Sequence, residues 1–176
     1  MRSQRALISG DYARSADDAV SAADANSQMS ATYLGAAMRP ALWGRDIERA
    51  RAIAARVEAD PTTGASTAAE RVAARAGIAA LEGRVDDAVA GYRDAVARSR
   101  SIGAEFEVAR YSLDFVLLVG ADHPATRTAA EEARVIFERI GARPYLTQLG
   151  AALAARVTDA TEAKAGRTPV TSGDAG

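Results

Sequence analysis

The chain has 176 residues, of which 48% are hydrophobic, 26% are charged and only 5% are aromatic. Its 22 basic and 23 acidic side chains give a net charge of −1, which argues against a nucleic-acid partner because nucleic-acid-binding proteins normally have a strongly basic surface. The absence of cysteine excludes disulfides, thiolate zinc sites and cysteine nucleophiles. Because the sequence has no run of ~18 apolar residues and no apolar signal region, we expect a cytoplasmic protein without a membrane partner.

Helices are the only regular elements that the sequence predicts. Alanine, the residue with the highest helix propensity, dominates the apolar positions and lets helix backbones approach closely. Apolar spacings of three and four residues and the positions of capping residues place the helices along the chain. In chain order, the predicted helices span residues 11–26, 28–43, 46–59, 67–82, 86–101, 104–119, 124–140 and 144–156.

Several helix ends are assigned from single residues. Thr67 and Glu70 have the spacing of a capping box, which predicts a helix start at Thr67. Gly103 and Gly141 stand where a C-terminal helix cap favours glycine. Pro40 lies inside the second predicted helix and is expected to kink or shorten it.

An internal repeat organises these helices. Residues 101–104 (Ser-Ile-Gly-Ala) match residues 139–142 (Arg-Ile-Gly-Ala) at an offset of 38 residues. The same offset maps positions 108, 111, 112 and 115 onto 146, 149, 150 and 153, so that two helices have matching apolar stripes. We therefore expect an all-α array of about four antiparallel hairpins in residues 1–157, the first hairpin being incomplete. The polar tail, residues 158–176, is expected to be disordered because it has little apolar surface to bury.

Two segments resemble a known family. Residues 82–95 (Glu-Gly-Arg-Val-Asp-Asp-Ala, then Gly-Tyr-Arg-Asp-Ala) are similar to the glycine, alanine, aromatic and alanine signature of tetratricopeptide repeats. Residues 131–144 resemble the closing repeat of large actinobacterial-type signalling proteins. In those proteins a class III adenylate/guanylate cyclase domain or a helix-turn-helix output domain accompanies an ATPase module and a C-terminal helical array. The resemblance, over about residues 40–156, implies a tetratricopeptide-like α-solenoid that holds or docks another protein domain.

The sequence offers little for catalysis. His123 is the single histidine and precedes a proline, which is typical of a helix start. Asp86 and Asp87, like Glu131 and Glu132, are neighbours on predicted helices, so their side chains point about 100° apart and do not converge as an acid–base pair. The phosphate-loop motif G-x-x-x-x-G-K-[ST] is absent. We therefore predict no catalytic residue, no metal and no cofactor.

A partner-binding groove is the candidate site. The helix predicted at 104–119 is apolar over much of its circumference, especially at residues 115–119. Such a helix is either buried between flanking hairpins or offers a second face to a partner. The second alternative predicts a groove for a peptide helix or a protein domain. Its candidate residues are Arg75, Phe106, Arg110, Leu113 and Asp114.

The sequence therefore favours a non-catalytic protein-binding or regulatory scaffold, belonging to a larger signalling ATPase, cyclase or transcriptional regulator. A small all-α enzyme or ligand-binding bundle is the alternative, and it requires convergent polar groups in a buried pocket. A third possibility is a truncated fragment without a function of its own, because the sequence opens only a few residues before its first glycine turn.

Overall fold

The structure, a computed structural model, describes residue 3, residues 6–7 and residues 9–165, with side chains described as far as Ala154. All regular structure within these residues is helical, which confirms the predicted all-α class. After Asp11 the α-helices are α1 Tyr12–Ala25, α2 Ser30–Trp43, α3 Ile47–Ala59, α4 Ala65–Leu81, α5 Val85–Ser101, α6 Glu105–Val119, α7 Arg127–Ile140 and α8 Arg143–Ala165. Two short 3-10 turns, Ser27–Met29 and Pro124–Thr126, precede α2 and α7.

The predicted helix ends need four corrections. Helix α4 begins at Ala65 and its N-cap makes no side-chain hydrogen bond, so the expected capping box does not form. Pro40 does not shorten α2, which continues to Trp43. The helix predicted at residue 124 starts only at Arg127, after the 3-10 turn. The last helix, predicted to end at residue 156, continues to Ala165, and the rest of the predicted disordered tail lies outside the described residues.

One turn geometry recurs along the chain. After α4 the amide of Gly83 donates to the carbonyl three residues earlier (3.1 Å), and the next amide donates to the carbonyl five residues earlier (2.9 Å). This pair of bonds satisfies the last carbonyls of a helix when one residue takes the left-handed conformation. Gly83, Gly103 and Gly141 take it with φ of 76°, 71° and 72°, whereas Arg45 takes it with φ of 54° after α2. Helices α5 and α7, which end at Ser101 and Ile140, are thus followed by the same turn.

The even-numbered helices form a connected row. Each helix contacts its neighbour in sequence, and α2 also contacts α4, α4 contacts α6 and α6 contacts α8. A further contact joins α2 directly to α6. The stripe positions predicted from the 38-residue offset are buried in α6, where Val108, Tyr111, Ser112 and Phe115 are at most 3% exposed. Packing therefore brings helices that are far apart in sequence to one inner surface.

Small residues allow the close approach of neighbouring helices. A Cβ atom added at Gly91 of α5 would lie 2.7 Å from the Cβ of Ala76 in α4. Such a distance is far below van der Waals contact, so only glycine fits there at the observed helix separation. The abundance of alanine and glycine is thus a packing requirement of this fold as well as a source of helix propensity.

Candidate functional site

A buried ion pair joins α2 to α6. Arg39 donates from Nε to both carboxylate oxygens of Asp114, at 2.8 and 3.0 Å, and from Nη2 to Oδ2 at 2.7 Å. The two side chains are only 5% and 4% exposed. Trp43 completes the cluster, because its Nε1 donates to Oδ1 of Asp114 at 2.8 Å. One carboxylate therefore binds two side chains of α2 across 71 and 75 residues of sequence.

Each partner of this pair requires the other. Burial alone would lower the pKa of Arg39, but the charge of Asp114 and the hydrogen bonds to it outweigh burial and raise that pKa above its ordinary value. An isolated charge in this position would lack the solvation that water gives it, whereas a bidentate guanidinium–carboxylate pair satisfies both groups. The Arg39–Asp114 pair therefore fixes the position of α6 against α2.

A second polar cluster links α4 to α6 next to this pair. Glu70 Oε2 accepts a hydrogen bond from Tyr111 Oη at 2.6 Å and another from Arg110 Nη2 at 3.3 Å. The same Nη2 atom of Arg110 contacts Oε2 of Glu107. A Cβ atom at Gly35 would lie 2.9 Å from Cδ of Glu70, so the glycine in α2 provides the space that Glu70 occupies.

The pKa shifts in this cluster follow from burial among carboxylates. Burial raises the pKa of Glu107, with smaller contributions from Glu70 and Asp114, and the attraction of Arg110 does not cancel this effect. Burial and the adjacent charge of Glu70 also raise the pKa of Tyr111. Tyr111 is therefore a neutral hydrogen-bond donor at physiological pH, and burial disfavours the ionised form of Glu107.

The two clusters border two adjacent cavities. The first, of about 640 Å³, lies between α1, α2, α6 and α8 and includes Arg39 and Tyr145 in its lining. The second, of about 330 Å³, lies between α2, α4 and α6. Three residues line both cavities: Thr32, Ala36 and Arg110. We call the combined space the inner groove, because the contacting even-numbered helices contribute to it throughout.

The structure brings together only part of the predicted groove. Arg110 lines the inner groove, but Leu113 and Asp114 are 0% and 3% exposed, so they cannot contact a partner at the surface. Arg75 lies apart from the inner groove. It is exposed, pairs with Glu58 and lines a separate cavity between α4 and α5. Burial is therefore the correct alternative for Leu113 and Asp114.

Phe106 lies in an aromatic cluster at the end of the inner groove. Its ring meets those of Phe137 and Tyr145 edge-on, with centroids 6.4 and 5.6 Å apart. Arg110 lies over Phe106 at 5.8 Å from the ring centroid. Phe106 remains 37% exposed and Tyr145 lines the first cavity, so the cluster offers aromatic surface beside a cation.

Sequence reasoning missed Arg39, Glu70 and Glu107 as groove residues. A signal for the first was present, because Arg39 is the single charged residue in the apolar stretch 34–43 and Asp114 is the single charged residue in 111–119. Two lone, opposite charges in apolar helices indicate a buried pair. Glu70 and Glu107 lie in ordinary amphipathic sequence, so nothing in the sequence separated them from solvent-exposed acids.

His123, the single histidine, has a structural role. Nδ1 of His123 accepts a hydrogen bond from the amide of Ala125 at 3.2 Å and so caps the 3-10 turn.

Among the described residues, no group of three or more acidic or histidine side chains is arranged to hold a metal ion. None of the described helices combines the length and apolar character needed to cross a bilayer.

Comparison with known proteins gives no relative from which a role can be transferred. No family model matches the chain, and neither a curated protein nor a solved structure matches it.

Proposed function

We propose that this protein is a non-catalytic scaffold that binds an extended segment of another protein in the inner groove. One observation carries the proposal: the two cavities share Thr32, Ala36 and Arg110, so they are adjacent, and an extended segment that passes these residues reaches both. Two adjacent cavities suit a chain better than they suit a compact ligand. Thr32 and Ala36 are exposed, so the contact surface is accessible without rearrangement.

The proposed architecture is a tetratricopeptide-like α-solenoid. The recurrence of one turn geometry after α2, α4, α5 and α7 supports it, since like turns repeat like angles between helices. The row of even-numbered helices supports it as well, because solenoids present one set of helices on a concave binding surface. Two exposed ion pairs also fit stacked hairpins. Arg49 binds Asp17 and Arg56 binds Asp24, and in each pair the partners are 32 residues apart.

The proposed partner is the effector domain of a signalling ATPase or cyclase. The resemblance of residues 131–144 to the C-terminal arrays of such proteins motivates this part of the proposal, and it is an argument from analogy. The test is to add the purified chain to purified class III cyclase and signalling ATPase domains from the same source and to measure binding and nucleotide turnover. The assignment would be contradicted if the chain did not bind these domains and did not change their nucleotide turnover.

The groove itself is tested by blocking it. Ala36→Trp places an indole where the two cavities join, and Ala97→Trp, on an exposed position of α5 outside the described cavities, is the matched control. A random peptide library displayed on phage is selected on the wild-type chain. Selected peptides should bind Ala36→Trp at least tenfold more weakly, a loss of about 1.4 kcal/mol, and Ala97→Trp unchanged. The groove is not the binding site if both variants bind alike, and the proposal fails if no peptide is enriched.

A small-molecule receptor is the second candidate, and the size of the first cavity favours it. Its volume of about 640 Å³ lies within the ~300–1,000 Å³ range of ligand pockets. A thermal-shift screen with nucleotides and divalent metals separates the two functions. A saturable rise in Tm, abolished by Ala36→Trp, would favour the receptor over the scaffold.

A further inference from the structure

The second cavity has the chemistry of a site for a positively charged side chain. Its polar lining consists of the hydroxyls of Thr32, Thr62, Ser66 and Thr67, the carboxylates of Glu70 and Glu107, and the guanidinium of Arg110. Hydroxyl and carboxylate oxygens accept hydrogen bonds, and Arg110 contributes the single positive charge of this lining. The lining therefore has two carboxylates for one guanidinium and a net negative charge.

The charges around the cavity do not balance. Arg39 and Arg110 supply two positive charges, and Asp114, Glu70 and Glu107 supply three negative charges within the two connected clusters. Arg39 is committed to Asp114 by three hydrogen bonds. Among the charged side chains that line the cavity itself, Glu70 and Glu107 therefore share a single guanidinium, that of Arg110.

The geometry of the two glutamates leaves oxygens free. Both carboxylates contact the same atom, Nη2 of Arg110, so they lie on either side of it. In each case the contact uses Oε2, and neither Oε1 atom has a hydrogen-bond partner among the described residues. Burial raises the pKa of Glu107 by more than the positive charges of Arg110 and Arg39 lower it.

We propose that the inner groove selects a peptide segment containing lysine or arginine, whose basic side chain enters the second cavity and donates to Glu70 and Glu107. The inference rests on the proposed function, because it names the chemistry of the segment that the groove binds. The peptide backbone passes Thr32 and Ala36 toward the first cavity, where the aromatic rings of Tyr33 and Tyr145 are available to apolar residues. Solvent screens the attraction between such a cation and the two carboxylates less in the cavity than at an exposed ion pair.

The test is a double exchange between peptide and protein. Peptides selected on the wild-type chain should be enriched in lysine or arginine, and replacing that residue by methionine should weaken binding at least tenfold. On Glu107→Gln the same replacement should weaken binding less than threefold, because the variant has lost the charge that the basic residue recognises. Glu48→Gln, which removes an exposed carboxylate of α3, is the charge-matched control and should behave as the wild type. Circular dichroism verifies that both variants are folded.

The outcomes distinguish a failure of the inference about basic residues from a failure of the scaffold function. Peptides that lack basic residues, or an equal loss on the wild type and on Glu107→Gln, would overturn the inference. If Ala36→Trp nevertheless prevents those peptides from binding, the scaffold function stands and only the inference about basic residues fails. A library that yields no peptide overturns the scaffold function and the inference together.

Discussion

Removing the carboxylate of Asp114 is the most informative perturbation of the fold. Asp114→Ala deletes three hydrogen bonds to Arg39 and the one from Trp43, all between 2.7 and 3.0 Å. The Arg39 side chain is 5% exposed, so water does not replace the lost partner. The variant therefore keeps a buried positive charge without a counter-charge.

The expected magnitude follows from this burial. Breaking a buried ion pair on one side costs about 3–5 kcal/mol. The loss of the Trp43 bond adds about 1 kcal/mol. We therefore expect the free energy of unfolding to fall by about 4–6 kcal/mol, which at an m-value of about 2 kcal/mol/M moves the urea midpoint by about 2–3 M. Asp114→Asn keeps the shape and loses the charge, so it should cost about 2–3 kcal/mol.

Two controls separate burial from charge. Asp94→Ala removes the partner of Arg98 in an exposed pair, at 2.9 Å and with side chains 46% and 47% exposed, and should cost at most about 0.5 kcal/mol. Arg39→Met combined with Asp114→Ala leaves no unpaired charge and should recover most of the loss. The coupling energy in this double-mutant cycle should be about 2–3 kcal/mol.

The assay is urea unfolding followed by circular dichroism and by the fluorescence of Trp43. Trp43 is the single tryptophan of the chain, so its emission reports on this cluster alone. The reasoning would be refuted by a loss below 1 kcal/mol for Asp114→Ala. Additive costs of the two single substitutions would refute the claim that the charges depend on each other.

Four further predictions concern backbone strain, packing, an unpaired hydroxyl and pH. Arg45→Gly should stabilise the chain by about 0.5–1 kcal/mol in urea unfolding, because φ is 54° there and a side chain makes that conformation unfavourable. Gly91→Ala should destabilise by about 1–2 kcal/mol, since the new Cβ would lie 2.7 Å from a Cβ of α4, whereas Gly150→Ala, with open space around it, should stabilise by up to about 1 kcal/mol. Tyr92→Phe should be neutral or stabilising by about 1 kcal/mol in thermal unfolding, because the hydroxyl is buried without a partner among the described residues. Glu107→Gln should gain stability relative to the wild type as pH rises from 4 to 7, measured by urea midpoints at each pH. The raised pKa means that the folded chain binds more protons than the unfolded chain, so wild-type stability falls as Glu107 ionises.

Specific results would contradict each of these. A destabilised Arg45→Gly variant would show that its side-chain contacts outweigh the backbone strain. Equal effects of Gly91→Ala and Gly150→Ala would exclude the close approach of α4 and α5 as the cause. A loss above 1 kcal/mol for Tyr92→Phe would reveal a partner for the hydroxyl. A pH-independent difference between Glu107→Gln and the wild type would contradict the shifted pKa.

The sequence alone was sufficient for the helices and most of their ends. Apolar spacing and alanine content predict local structure because a helix is stabilised by residues three and four apart. The turns at Gly103 and Gly141 were predictable for the same reason, since a left-handed residue after a helix is a local requirement that glycine meets. Thr67 and Glu70 show the limit of this reasoning: their capping spacing is present, but Glu70 instead accepts a hydrogen bond from Tyr111.

Only the tertiary structure decided which residues form the groove. Arg39 and Asp114 are 75 residues apart, and no local rule selects that pairing from the many charges of the chain. Leu113 and Asp114 were candidates for a partner surface and are buried, because α6 is covered by α2, α4 and α8 as well as by its neighbours in sequence. The groove exists because helices distant in sequence meet on one side of the fold. Periodicity identifies the apolar face of each helix, whereas the packing of several helices determines whether that face is buried or exposed.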